Sequence, residues 1–166
     1  MAEPVKLKHK QATPPSNTPE TPKNSSNSTV VTSTPSQPKQ MNLVIPKDVD
    51  RLRARSAWDS VQKVTNNSNK KKHGSLARNM PTYIQVNGLA QTLAFLKAKD
   101  EAHHKWSLDS LSTWFREIYP NQPDSFDLLN TIINMDSKTY RLATNESLAF
   151  LQWLKRFAEA ELGTEE

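Results

Sequence analysis

The chain has 166 residues, a formal net charge of +5 and no cysteine. Its length predicts one folded domain, and its charge mildly favours a polyanionic partner such as nucleic acid. The absence of cysteine excludes disulfides, cysteine-ligated zinc and thiol catalysis. The opening MAEPVKLKHK lacks the apolar core of a secretory signal, and no apolar run approaches the length of a membrane span. A soluble cytoplasmic protein with no membrane partner is therefore expected.

Charge is unevenly spread along the chain. Up to Pro46 five lysines face two glutamates. From Lys47 to Lys105 twelve basic residues face five acidic ones, and from Trp106 to Glu166 five face ten. The body therefore has a basic first half and an acidic second half.

Residues 1–46 are rich in Pro, Ser, Thr and Asn and contain no aromatic residue. Such a segment cannot bury enough apolar surface to offset its ordering entropy, so a disordered tail is expected. It reads as an inert leader or linker, the alternative being a tether that uses Lys6, Lys8 and Lys10 to touch a polyanion.

The folded body is expected over residues 47–166. Asp48 is placed to cap a helix running to about Val64, with Leu52, Trp58, Val61, Val64, Ala54 and Ala57 on its apolar face. Arg51, Arg53 and Arg55 alternate, so on a helix they fan out instead of forming one stripe. After the polar loop at Thr65, a helix over Lys70–Asn87 carries Leu76, Met80, Tyr83 and Ile84 at helical spacing. Pro81 lies within it and should either open a new helix or bend this one. A third helix runs from Gly88 to about Glu101 on Leu89, Leu93 and Leu96. The break near Asn87-Gly88 makes the two a hairpin, basic at both ends, that can pack on one face and hold a polyanion on the other.

Ser107 is then expected to cap a helix with Asp109 in its first turn and Leu108, Leu111, Phe115 and Ile118 inside. Tyr119 to Pro123 is a turn. Asp124 or Ser125 should cap a short helix burying Phe126, Leu129, Ile132 and Ile133. A long closing helix runs from Ser137 to Leu162 on Tyr140, Ala143, Ser147, Leu148, Leu151, Leu154, Ala158 and Leu162, and Gly163 ends it. No segment shows strand alternation. The expected fold is all-α, a compact bundle of about six helices behind a disordered N-terminal tail.

No catalytic motif is present: no glycine-rich phosphate loop, zinc-protease helix or nucleophile elbow. His103 and His104 are adjacent, so on a helix they point roughly 100° apart and make a poor metal pair. A solvated helix end is the expectation there, with no metal and no cofactor. Lys70, Lys71 and Lys72 open a helix where the dipole disfavours cations. That local cost fits either a phosphate contact or a merely solvated face. Trp58, Trp106, Trp114 and Trp153 read as core or subunit-interface residues more than as stacking platforms.

Gly74-Ser75-Leu76-Ala77-Arg78, Met80-Pro81, Ile84-Gln85 and the run NGLAQTLAFLKAK from Asn87 to Lys99 resemble the small-subunit family of the type III-B (Cmr) CRISPR effector complex. Asp136-Ser137, Tyr140-Arg141, Ala143-Thr144, Glu146 and the run from Trp153 to Leu162 match that family's closing helix. The resemblance covers roughly Arg51 to Leu162 and excludes the tail. It implies a small helical protein without catalytic residues, copies of which stack into a filament along the guide RNA–target RNA duplex while larger subunits bind the guide and cut the target. The implied partners are guide RNA, target RNA, the other Cmr subunits and neighbouring copies of the chain itself. Within that frame charge selects the RNA-facing candidates: Lys71, Lys72, Arg78, Gln85, Gln91, Arg141, Lys155 and Arg156. The alternative is a helical adaptor or DNA-binding regulator using Asn87-Gly88 as a helix-turn-helix turn, although the helix that follows is too apolar to read bases.

Overall fold

The structure, a computed structural model, describes residues 47–119 and 121–163. The expectation for the tail up to Pro46 lies outside the described residues. The elements are α1 Val49–Gln62, α2 Lys70–Asn87, α3 Leu89–Ala98, α4 Ala102–Ile118, α5 Leu128–Ile133 and α6 Ser137–Glu161. Among the described residues there is no strand. The all-α, six-helix expectation holds.

α6 organises the bundle, because both α1 and α2 pack along it. α4 closes the core against α1, α2 and α3, and α5 rests on α3. α2 and α6 run antiparallel. Gly74 near the start of α2 lies against Gly163 past the end of α6, and the Ala90 N–H, just after α2, donates to the Tyr140 hydroxyl near the start of α6 at 3.2 Å. Leu93, Leu96, Leu111, Trp114, Phe115, Phe150, Leu151 and Leu154 are fully buried at the centre. The Trp114 and Phe150 rings stack there with centroids 5.7 Å apart.

Local chemistry explains most boundaries. The Asp136 carboxylate accepts the N–H groups of Lys138 and Thr139 and so caps α6. Gly88 has φ 82 and ψ 161, a conformation open essentially to glycine alone, and it separates α2 from α3. Gly163 has φ 68, as expected for the residue ending α6.

Several expectations are corrected. α2 continues through Pro81 as one helix, so proline opens no new one. Pro81 is buried with Ala77, Met80 and Ile84, and that packing offsets the missing hydrogen bond. Asp48 precedes α1 but its side chain makes no cap bond, standing 3.5 Å from Arg51 instead. Leu52 and Trp58 are not core: they remain 36% and 41% exposed. α1 buries Ser56, Ala57, Ser60 and Val61, whose small side chains let its backbone approach the neighbouring helices.

Ser107 is not a cap. α4 begins at Ala102, and Ser107 is fully buried inside it. The early start is anchored by Trp106, whose indole N–H donates to the Ser60 carbonyl at 2.9 Å. His103-His104 is therefore no solvated helix end: His104 is buried and His103 half-buried. In α5 the cap is Asp127, which accepts the Asn130 N–H at 3.1 Å, so neither Asp124 nor Ser125 serves. Leu128 is buried in place of Ile133, which is 60% exposed.

Candidate nucleic-acid interface

The candidate residues divide by helix geometry. In α2, Lys71, Arg78 and Gln85 follow one another at seven-residue intervals, so they form one line along the helix with a drift of roughly 20° per step. All three are exposed. Helical projection at roughly 100° per residue puts this line on the same side of α2 as Gly74, the side that meets α6. His73, about 100° round the helix from Gly74, marks the side toward α4, because its ring lies 5.3 Å from that of Trp106.

On α6 the same projection separates the two flanks. Glu146, Trp153 and Phe157 face α1, through Arg53, Asp50 and Trp58 respectively. Leu162 faces α2, and Tyr140 faces the Gly88–Ala90 junction between α2 and α3. Arg141 and Lys155 fall at the outer margin of the α2 flank; Arg141 is exposed and Lys155 half-buried.

Because the helices are antiparallel, these side chains follow one another along one seam in the order Lys71, Arg78, Lys155, Gln85, Arg141. The seam runs for about 30 Å at 1.5 Å rise per residue. One carboxylate, Glu159, shares this flank of α6 near the Lys71 end. Among the described residues, none of the four seam cations makes an ion pair, whereas Arg51, Arg53, Lys97 and Lys105 each do.

Three candidates lie elsewhere. Lys72 projects toward α4, where its charge helps to lower the pKa of His103. Arg156 points away from the core on the outer face of α6. Gln91 lines a groove between α2 and α3 with Tyr83, Asn87, Thr92 and Phe95, about 460 Å³ in volume. That groove was not legible in sequence, because it exists only where the Gly88 break turns α3 alongside α2.

Three further features carry perturbed chemistry. The Arg53 guanidinium grips the buried Glu146 carboxylate, at 2.7 Å from Nε and 2.6 Å from Nη2, and its own pKa is raised by that bond. Tyr119, buried with no hydrogen-bond partner among the described residues, is pushed up to about 12 by burial and then by the Glu146 charge. His73, His103 and His104 converge with Trp106, and burial, followed by the two neighbouring histidines, lowers the pKa of His103. Among the described residues no group of three or more His, Asp or Glu could hold a metal ion. No described helix is long and apolar enough to cross a membrane.

Fold and surface together define a small all-α protein with a line of unpaired cations along one helix seam. The family described as CRISPR-associated protein (Cas_Cmr5) matches residues 50–161, and the chain belongs to it. The chain is similar to the CRISPR system Cmr subunit Cmr5 of Thermus thermophilus, at 25% identity over 107 residues, 64% of this chain and 90% of that protein. Its fold is similar to the crystal structure of a CRISPR-associated Cmr5 family protein from the same organism. There the identity is 24% and the TM-score 0.59, over 68% of this chain and 96% of that one. The family resemblance carried by the two sequence blocks is thereby borne out.

Proposed function

We propose that this chain is a non-catalytic RNA-binding scaffold subunit of a type III-B (Cmr) CRISPR ribonucleoprotein, acting in the cytoplasm. Membership of the Cmr5 family supports the setting, as does a relative named as a Cmr subunit. The observation that carries the RNA reading is the α2–α6 seam, where Lys71, Arg78, Lys155 and Arg141 have no ion-pair partner among the described residues. Unpaired cations in a row suit a phosphate backbone, which they position without reading its sequence. Base pairing then supplies the sequence information, the division of labour used in RNA-guided recognition.

One copy offers few cations, so affinity for the guide–target duplex comes from several copies acting together. The basic first half and acidic second half suit heterologous head-to-tail contacts between copies, which propagate into a filament when they do not close. α3 gives the DNA-reading alternative no support, since Leu89, Thr92, Leu93 and Leu96 are buried.

The test is target-RNA capture by the reconstituted complex containing Lys71→Glu, Arg78→Glu and Lys155→Glu together. Capture should weaken and its dependence on salt should flatten, equally for every guide sequence, with the subunit's thermal stability nearly unaltered. Capture equal to wild type across a salt series would reduce the seam to a solvated face.

A further inference from the structure

The α2–α3 groove has a lining unlike that of a helix-docking cleft. None of its five residues is charged, and two rings stand beside three polar side chains. The Tyr83 and Phe95 rings meet edge to face, with centroids 6.1 Å apart and planes at 72°. Phe95 stays 42% exposed, and the Lys99 ammonium stands 5.9 Å from its ring centroid. Asn87 and Gln91 are exposed. Among the described residues neither amide makes a hydrogen bond, and neither does the Tyr83 hydroxyl, whereas Thr92 donates to the Gly88 carbonyl at 2.9 Å.

Each part has a counterpart in a nucleotide. A ring face stacks on a base, and this works for any base because every base has a π-face. Amides and a hydroxyl offer both donors and acceptors to a base edge. The ammonium suits the adjoining phosphate, and no lining carboxylate repels it. In an RNA helix the faces of paired bases are stacked and their Watson–Crick edges are taken up by pairing, so only a base out of the stack can offer a face and that edge together. We propose that the α2–α3 groove binds a single unpaired RNA base, stacked on Tyr83 or Phe95 and held at its edge by Asn87 and Gln91. This rests on the RNA-binding reading above and adds a second contact to it. Tyr83 projects from the flank of α2 opposite Arg78, so groove and seam are separated by the width of one helix and can be altered independently.

The experiment titrates the full chain with two short RNA duplexes, one carrying a central unpaired 2-aminopurine and one with that base paired. The bulged duplex should bind roughly tenfold more tightly, a gain typical of one base stacked on an aromatic side chain, and its fluorescence should be quenched. Tyr83→Leu keeps an apolar side chain but loses the stack, and exposed Gln91→Ala carries no folding risk. Each should abolish most of the difference and leave binding to the paired duplex unchanged. Equal affinity for both duplexes overturns the groove proposal and leaves the scaffold reading standing. If the wild-type chain binds neither, alone or in the assembled complex, both readings fall. If both variants keep the discrimination but lose association with partner subunits, the groove holds a protein segment and the proposal is wrong.

Discussion

The Arg53 guanidinium holds the Glu146 carboxylate through both oxygens, at 2.7 and 2.6 Å, and so ties α1 to the middle of α6. Trp114 of α4 donates its indole N–H to the same carboxylate at 3.1 Å. Three helices therefore meet on one buried charge, with the Glu146 side chain 4% exposed and the Arg53 side chain 14% exposed. Removing Arg53 leaves the Glu146 charge buried and uncompensated, which costs about 3–5 kcal/mol, whereas removing Glu146 leaves Arg53 the Asp50 carboxylate 3.6 Å away. Arg53→Ala should lower unfolding free energy by that order in urea titrations, and Glu146→Ala should lower it as well, with part of the Arg53 charge still met by Asp50. The double variant should cost clearly less than the sum of the two. Additive losses would mean that the pair is not coupled.

Gly74 offers a test in which two effects have opposite signs. Within an exposed helix, replacing Gly by Ala stabilises by about 1 kcal/mol. Here a Cβ would fall onto the Gly163 carbonyl oxygen, a backbone atom that cannot swing aside. Overpacking of this kind costs about 1–3 kcal/mol. Gly74→Ala should therefore destabilise the chain, read as a lower urea midpoint. A gain in stability would show that α2 and α6 are not in contact at this end.

The histidine cluster sets a pH dependence. The pKa of His103 is lowered by burial first, then by His104, His73 and Lys72, with Glu101 opposing. The His104 Nδ1 stands 3.3 Å from a Glu101 oxygen without hydrogen-bond geometry. A group with a depressed folded-state pKa is protonated more in the unfolded chain, so stability rises with pH through its window. The contribution is complete above the ordinary histidine value of 6.5 and is lost as pH falls through the lowered one. Tm should drop between neutral and mildly acidic pH, and His103→Gln should reduce that drop. An unchanged profile in the variant would assign the dependence to other groups.

The split among the basic candidates is testable in the assembled complex. Lys72 and Arg156 lie off the α2–α6 seam, so changing both to Glu should weaken target-RNA capture less than Lys71→Glu with Arg78→Glu. The two pairs carry the same charge change, so the comparison removes the general field of the protein. Equal losses would mean that net charge, and not the seam, controls binding.

Periodicity was enough to reveal the six helices, since each amphipathic run must bury a stripe in any fold it joins. It also exposed Asn87-Gly88 as a break, because the backbone conformation there admits little but glycine. The family was legible in local blocks of residues for the same reason: helix faces and their spacing are written along the chain. Where helices begin was less legible. Ser107 has cap chemistry, yet the bond between Trp106 and Ser60, forty-six residues away, draws α4 back to Ala102. Of the apolar residues expected inside, Ala57, Val61 and Val64 are buried while Leu52 and Trp58 are not, because α6 and α4 select the part of that face they can approach. The seam, the groove and the Arg53–Glu146 pair belong to tertiary structure alone. Each joins residues from different helices, and which flanks face one another depends on how whole helices pack, a choice that no single helix records in its own sequence.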